Sequence, residues 1–323
     1  MTENLRDQVV KYLTDAHSIE TQALAQLRTA PGFTQDPEIA RIFEEHERET
    51  EGHERTIREL LESYDASPSS LKESVMALGG KGFVLFARSQ PDTSGKLMSH
   101  AHSYEALEEA SYELLMRVAE RAGEERVVEA ANRIREDERR MEERIAGNFD
   151  RSVEESLRDV PRDDLDEQLN RYLADAHAVE AQAIELLHRA PKIVDDPELE
   201  RIFEEHLAET REHQELVKER LDARGGSPSM LQDLAMRTGA LGWGSFFQSH
   251  PDTPGKLAAF AYAFEHLEVG GYEQLKRVAA RAGDVETARM AVRILEQERE
   301  AAQRISAQFD RAASASLEAV GAR

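Results

Sequence analysis

Cysteine is absent from this chain. That excludes disulfides, thiolate metal sites, cysteine nucleophiles and an iron centre of the four-cysteine kind. Aromatics are scarce at 6%, with a single tryptophan, and proline and glycine are few for 323 residues. A chain so composed, with 33% charged residues, favours long helices over sheets. Positive charge is the minority sign: the formal net charge is -23. A nucleic-acid backbone or an anionic membrane surface is therefore disfavoured as a partner, and cations are attracted. Long apolar runs are missing too. No window approaches the roughly 18 apolar residues of a membrane helix, and MTENLRDQVVKYL carries neither the basic nor the apolar part of a signal peptide. A soluble cytoplasmic protein with no nucleic-acid and no membrane partner is the expectation.

What is present is a repeat. DPEIARIFEEHERETEGHE from Asp36 returns as DPELERIFEEHLAETREHQ from Asp196, an offset of 160 residues. The same offset pairs Tyr12 with Tyr172, Pro91-Asp92-Thr93 with Pro251-Asp252-Thr253, and Phe149-Asp150-Arg151 with Phe309-Asp310-Arg311. No gap separates these anchors, so the chain is two copies of one unit. The boundary falls in the polar stretch around Pro161, giving domains 1–158 and 159–323. Six of the 11 histidines form matched pairs: His17 with His177, His46 with His206, and His53 with His213.

Each copy reads as four amphipathic helices, in the first copy near 4–29, 37–63, 95–121 and 125–149. Asp36-Pro37-Glu38 supplies an N-cap, a proline at the first helical position and an acid in the first turn. Gly123 and Gly283 fit helix stops. The expected class is all-α, two tandem four-helix bundles. Short links join the first to the second helix and the third to the fourth. A connection of about 30 residues separates the second from the third, long enough for a crossover that runs back along the bundle.

Every apolar stripe is interrupted at mid-height. The first helix runs Val9, Tyr12, Ala16, Glu20, Ala23 and Leu27; the second places His46, Glu49 and His53 between Ile42 and Ile57. The third interrupts at Glu108, with Glu105 three residues before it, and the fourth at Glu138 between Ile134 and Met141. The second copy repeats the pattern with Glu180; His206, Glu209 and His213; Glu265 and Glu268; and Glu298. Steps of three, four and seven keep such residues on one helical face, here the face that must otherwise be apolar. Burying one unpaired carboxylate costs several kcal/mol, on the order of that given for a relaxed interior ion. Several at one level also repel one another. Cations between them remove both penalties, and oxygen donors joined by imidazole suit iron, manganese or zinc.

The segments DAHSIETQALAQL, HERETEGH, HSYEALEEASYELL and REDER resemble the ferritin-like superfamily, and within it the YciF-type bacterial stress proteins. The resemblance spans almost the whole chain, counted twice. It implies two metal ions per bundle, iron foremost, held by a Glu from each of two helices and a Glu-x-x-His pair from each of two others. Carried over, it makes Glu20, Glu49, His53, Glu108 and Glu138 direct ligands, with Glu180, Glu209, His213, Glu268 and Glu298 in the second copy. This chain departs from the pattern: Glu49 and His53 are four apart, and no histidine follows Glu138. His46 and His206 are then ligands or supporting groups, and Glu105 and Glu265 complete an asymmetric set. His17 and His177 orient Glu20 and Glu180 or bind metal themselves. Tyr112 and Tyr272 are core aromatics whose hydroxyls require partners.

Two functions follow from the resemblance. One is a di-iron site reacting with dioxygen or peroxide in a redox or stress role; the other is metal sequestration or a structural role without turnover. Fusion of two copies also suggests that the halves pack as an intramolecular pseudo-dimer.

Overall fold

The computed structural model describes residues 4–67, 93–192, 194–227 and 253–322. Each copy is a bundle of four long helices with a short fifth helix. In the first they are α1 (Leu5–Leu27), α2 (Pro37–Ser63), α3 (Thr93–Ala122), α4 (Glu125–Ala146) and α5 (Phe149–Ser156). In the second they are α6 (Leu165–Arg189), α7 (Pro197–Ala223), α8 (Thr253–Ala282), α9 (Val285–Ser306) and α10 (Phe309–Ala319). No strand occurs among the described residues. The chain divides into two compact units at residue 158, with Met1–Arg158 forming the body of one and Asp159–Ala319 the other. The expected helical crossover between α2 and α3, and its counterpart between α7 and α8, lie outside the described residues. No helix among the described residues is long and apolar enough to cross a membrane.

Local chemistry sets the helix ends. The Asp36 carboxylate accepts from the Glu38 and Ile39 amides at 2.8 and 3.2 Å, and Asp196 does the same for Glu198 and Leu199 at 3.0 and 3.0 Å. These bonds satisfy amides that a helix start leaves open. Arg151 and Arg311 reach back to the same two aspartates. Gly123 and Gly283 end α3 and α8 at φ +70° and +75°, a left-handed turn that a side chain would strain. The sequence suggests that the fourth helix continues to 149. It stops at Ala146, where the Asn148 side-chain amide donates to the Arg144 carbonyl at 2.8 Å, and Phe149 opens a new helix that packs on α3.

In each unit the helices form a closed ring: α1 packs on α2 and α3, and α4 packs on α3 and α2. Two apolar caps fill its ends. One contains Leu27, Ile39, Ile42, Phe43, Leu97, Met98, Ile145 and Phe149. The other contains Val9, Leu13, Ile57, Leu61, Leu115, Val118, Val127 and Ile134, all buried. Between them lies a polar layer without solvent access: Glu20, His46, Glu105, Glu108 and Glu138 are each at most 3% exposed.

Candidate metal centre

The polar layer of the first bundle resolves into two groups of donors that share one residue. His46, Glu105, Glu108 and Glu138 form one, and Glu20, His53 and Glu138 form the other; within each group one donor atom per residue lies within 4.8 Å of all the others. The second bundle repeats both groups with His206, Glu265, Glu268 and Glu298, and with Glu180, His213 and Glu298.

Glu138 faces both ways. Its Oε1 lies 2.8 Å from His53 Nδ1 and its Oε2 lies 3.7 Å from His46 Nε2. Glu298 reproduces this at 2.7 Å from His213 and 3.9 Å from His206. Each of these carboxylates thus turns one oxygen to each donor group. The flanking contacts also repeat: His46 to Glu105 at 2.9 Å and His206 to Glu265 at 2.8 Å; His53 to Glu20 at 4.0 Å and His213 to Glu180 at 3.9 Å.

Hydrogen bonding leaves this layer incomplete. Both oxygens of Glu108 and Glu268 are buried without a hydrogen-bond partner, as are Oε2 of Glu20 and Glu180; those of Glu138 and Glu298 make no hydrogen bond of good geometry, although His53 and His213 stand 2.8 and 2.7 Å from one oxygen of each. Buried carboxyl oxygens are ordinarily satisfied, and each one that is not costs about 1–3 kcal/mol. The remaining oxygens of Glu20 and Glu180 accept from the hydroxyls of Tyr112 and Tyr272.

The electrostatics carry the same imprint. Burial, then the charge of Glu138, pushes the Glu20 carboxyl up to about 8, and burial, then Glu298, does so for Glu180. Burial raises Glu105 and Glu265 to about 7 despite the opposing histidines. Glu108 and Glu268 are driven well above the carboxylate range by burial and by the surrounding acids, with no cation opposing. For His53, burial favours the neutral ring, but the close contact with Glu138 and the charges of Glu138 and Glu20 outweigh it and lift the ring to about 9. The histidines also hold Glu138 below its ordinary value although burial works against this. Such a layer must take up positive charge, as protons or as metal ions.

The donor set suits two ions. Four carboxylates and two imidazoles in each bundle balance two divalent cations when the imidazoles are neutral. Their mixture of oxygen with one nitrogen per position fits iron, manganese or zinc. One imidazole in each bundle is also oriented from behind: His53 Nε2 lies 3.3 Å from Asp137 Oδ2 and His213 Nε2 lies 3.3 Å from Gln297 Oε1. Such outer partners fix the tautomer and ring plane of a metal-facing histidine.

The structure brings together twelve of the fourteen residues expected from the sequence and leaves two aside. Glu49 and Glu209 are in none of the donor groups. The Glu49 side chain is 57% exposed, behind His46 with its Oε2 3.6 Å from Nδ1; Glu209 stands 3.3 Å behind His206 and is also bound by Arg304. The helical angle explains the correction. At 100° per residue His53 returns to within about 20° of His46, whereas Glu49 lies about 60° off that line. Thr50 occupies the buried neighbouring position and bonds the His46 carbonyl. Of the three residue pairs left open, His46 with His206 and Glu105 with Glu265 belong inside the groups. His17 instead turns to Glu54 at 3.0 Å. Asp137, which orients His53, carried no signal of its own; its place beside Glu138, across from an inward histidine, is what could have marked it.

A family model for a domain of unknown function, DUF892, matches residues 4–158 and again 164–318. Among solved structures, a protein of Xanthomonas campestris pv. campestris is similar at 29% identity with a TM-score of 0.39, over 48% of this chain and 96% of that one. With both copies matched nearly end to end, the chain belongs to the DUF892 family and contains two of its domains in tandem.

Proposed function

We propose that each bundle would hold a pair of metal ions, iron foremost, with Glu138 or Glu298 shared by the two donor groups, and that the protein works through redox chemistry with dioxygen or peroxide. One observation carries the reading: the unsatisfied, fully buried oxygens of Glu108 and Glu138, and of Glu268 and Glu298, converge with histidines in two adjoining donor groups. A hydrogen-bonded structural network would have closed on itself, and this one has not. The likeness of its helical motifs to the ferritin-like superfamily and its YciF-type members supports iron and a stress role. An acidic surface of net charge -23 supports the accumulation of cations rather than of anions.

Within this reading the chain has four tasks. Glu20, His53 and Glu138 hold one ion, and His46, Glu105, Glu108 and Glu138 hold the other. Asp137 orients His53, and Tyr112 fixes Glu20 by donating to it. The apolar caps keep water away from the layer. Carboxylates that keep protons at neutral pH can release them as metal charge enters and recover them as it leaves. A bound pair of iron ions would supply electrons in pairs to an oxidant. A carboxylate-rich set accommodates the higher charge of the oxidised metal.

Metal-free protein, reconstituted with ferrous iron under anaerobic conditions, should bind four ions per chain, as measured by elemental analysis. Mixing with peroxide should then give oxidation much faster than that of free ferrous iron. Four bound ions without accelerated oxidation would replace the redox role with sequestration. Fewer than one bound ion per chain would remove the metal centre altogether.

A further inference from the structure

The two bundles have the same inner donors, but the residues behind those donors differ in charge. The His53 ring bonds a carboxylate, Asp137, while the His213 ring bonds an amide, Gln297, both at 3.3 Å. Geometry is held constant and only charge changes. A second replacement runs in the same direction. His17, one turn before Glu20, meets the Glu54 carboxylate at 3.0 Å; the residue in Glu54's place in the second copy is Gln214, whose Nε2 is buried without a hydrogen-bond partner. Behind the other inward histidines a carboxylate stands in both copies, Glu49 at 3.6 Å from His46 and Glu209 at 3.3 Å from His206, so the sign of the charge there does not change.

From this contrast we infer that the two centres are deliberately unequal: the position formed by Glu20, His53 and Glu138 holds a divalent ion more tightly than its counterpart formed by Glu180, His213 and Glu298, with Asp137 and Gln297 as the positioning residues that set the difference. The inference rests on the metal-binding reading above.

The physics is local. A carboxylate accepting the Nε2 proton draws that proton outward and leaves Nδ1, the nitrogen turned to Glu138, richer in electrons. An amide oxygen does so much less. Loss of such an outer partner typically lowers metal affinity by 10- to 100-fold. Arg140 pairs with the other oxygen of Asp137, but its side chain is 64% exposed. Water screens that counter-charge, whereas the Asp137–His53 bond lies against the buried layer. A stronger donor also favours the more highly charged metal state, so the first centre would be the easier to oxidise and the second the easier to reload.

Full-length apoprotein titrated with cobalt(II), followed by calorimetry and by the visible absorbance of the bound ion, tests this. Glu298→Gln disables the shared donor of the second centre so that the first centre is read alone, and Glu138→Gln does the reverse. The weaker of the two constants should lie at least tenfold lower in the Glu138→Gln form than in the Glu298→Gln form. Gln297→Glu, which restores charge at constant length, should close most of that gap; Asp137→Asn should erase it from the other side. Equal constants in the two forms, or a gap that neither charge swap moves, overturns the inequality while leaving the metal centre intact. No cobalt binding by the unsubstituted protein overturns both. Unchanged helicity by circular dichroism in all variants makes each result one of binding rather than of folding.

Discussion

Glu108 and Glu268 offer the sharpest perturbation, because each is buried, acidic and without a hydrogen-bond partner at either oxygen. Their carboxyls are held well above the ordinary range by burial and by the surrounding acids, which favours their neutral form in the metal-free protein. Replacing both by methionine keeps the length of the side chain and removes two buried oxygens from each bundle. An unsatisfied polar group in a protein interior costs about 1–3 kcal/mol, and methionine fits an irregular gap with little strain. The metal-free Glu108→Met/Glu268→Met protein should therefore be more stable by about 2 kcal/mol per bundle. For units of this size that is a rise in melting temperature of about 4–8 °C. Metal should invert the order. At a hundredfold excess over Kd each bound ion adds about 2.7 kcal/mol to a protein that binds it only when folded. Intact bundles gain this twice, and the variant forfeits at least one share. Scanning calorimetry with and without added metal should thus show two curves that exchange places. A variant that is less stable than the parent without metal would give these acids a structural role. One that still binds four ions per chain would remove them from the donor set.

Other consequences follow from the same layer. Without metal, stability should fall as pH rises from about 6.5 to 8: Glu20 and Glu105, raised to about 8 and 7 from 4.5, hold protons that the unfolded chain has already released, and His53, raised from 6.5 to about 9, is losing its favourable charge. Glu138, lowered by its histidines, works in the opposite sense only near and below 4.5. Thermal melts across this range check the sign, and a rising melting temperature would contradict it; metal binding should release protons and tighten over the same interval. Glu49→Ala with Glu209→Ala should retain four ions per chain by elemental analysis, because both side chains stand outside the donor groups. Tyr112→Phe should lower metal-free stability by about 1–3 kcal/mol, the cost of leaving the Glu20 oxygen without its donor, as read by denaturant unfolding. Asp36→Ala should cost about 1 kcal/mol, through the loss of the α2 cap.

Periodicity made most of this architecture legible, since an apolar stripe with a 3.6-residue repeat fixes both the helix and its inward face. The repeat then turned single observations into pairs: a buried Glu20 alone is ambiguous, but Glu20 with Glu180 at the same level of an otherwise apolar stripe is a pattern. Glu49 was misplaced because its step of three from His46 is helical-face spacing in general, whereas inclusion in a tight donor group depends on tens of degrees of rotation. Glu105 and His46 needed the third dimension for a similar reason; only the packed ring shows that α2 and α3, opposite each other across it, bring them within 2.9 Å. Asp137 was invisible because its significance lies in what it touches, a ring nitrogen 84 positions away in sequence. The break after Ala146 was missed because Gly147 and Asn148 interrupt the helix without proline, and Phe149 continues the apolar stripe beyond them.

The contrast between inner and outer layers explains how two copies in one chain can diverge without losing their centres. The inner carboxylates and imidazoles are coupled by charge balance. With ions bound, removing any one would leave the remaining donors and the metal out of charge balance, a cost of several kcal/mol that a marginally stable domain does not tolerate well. Outer residues are not coupled in this way. Exchanging Asp137 for Gln297 keeps the 3.3 Å hydrogen bond to the histidine and changes only what that bond does to the ring. Electrostatic tuning can therefore accumulate one residue at a time behind the histidines while the donor geometry stays within a few tenths of an ångström. A chain carrying both versions holds two settings of one centre, and fusion keeps them at a fixed ratio of one to one.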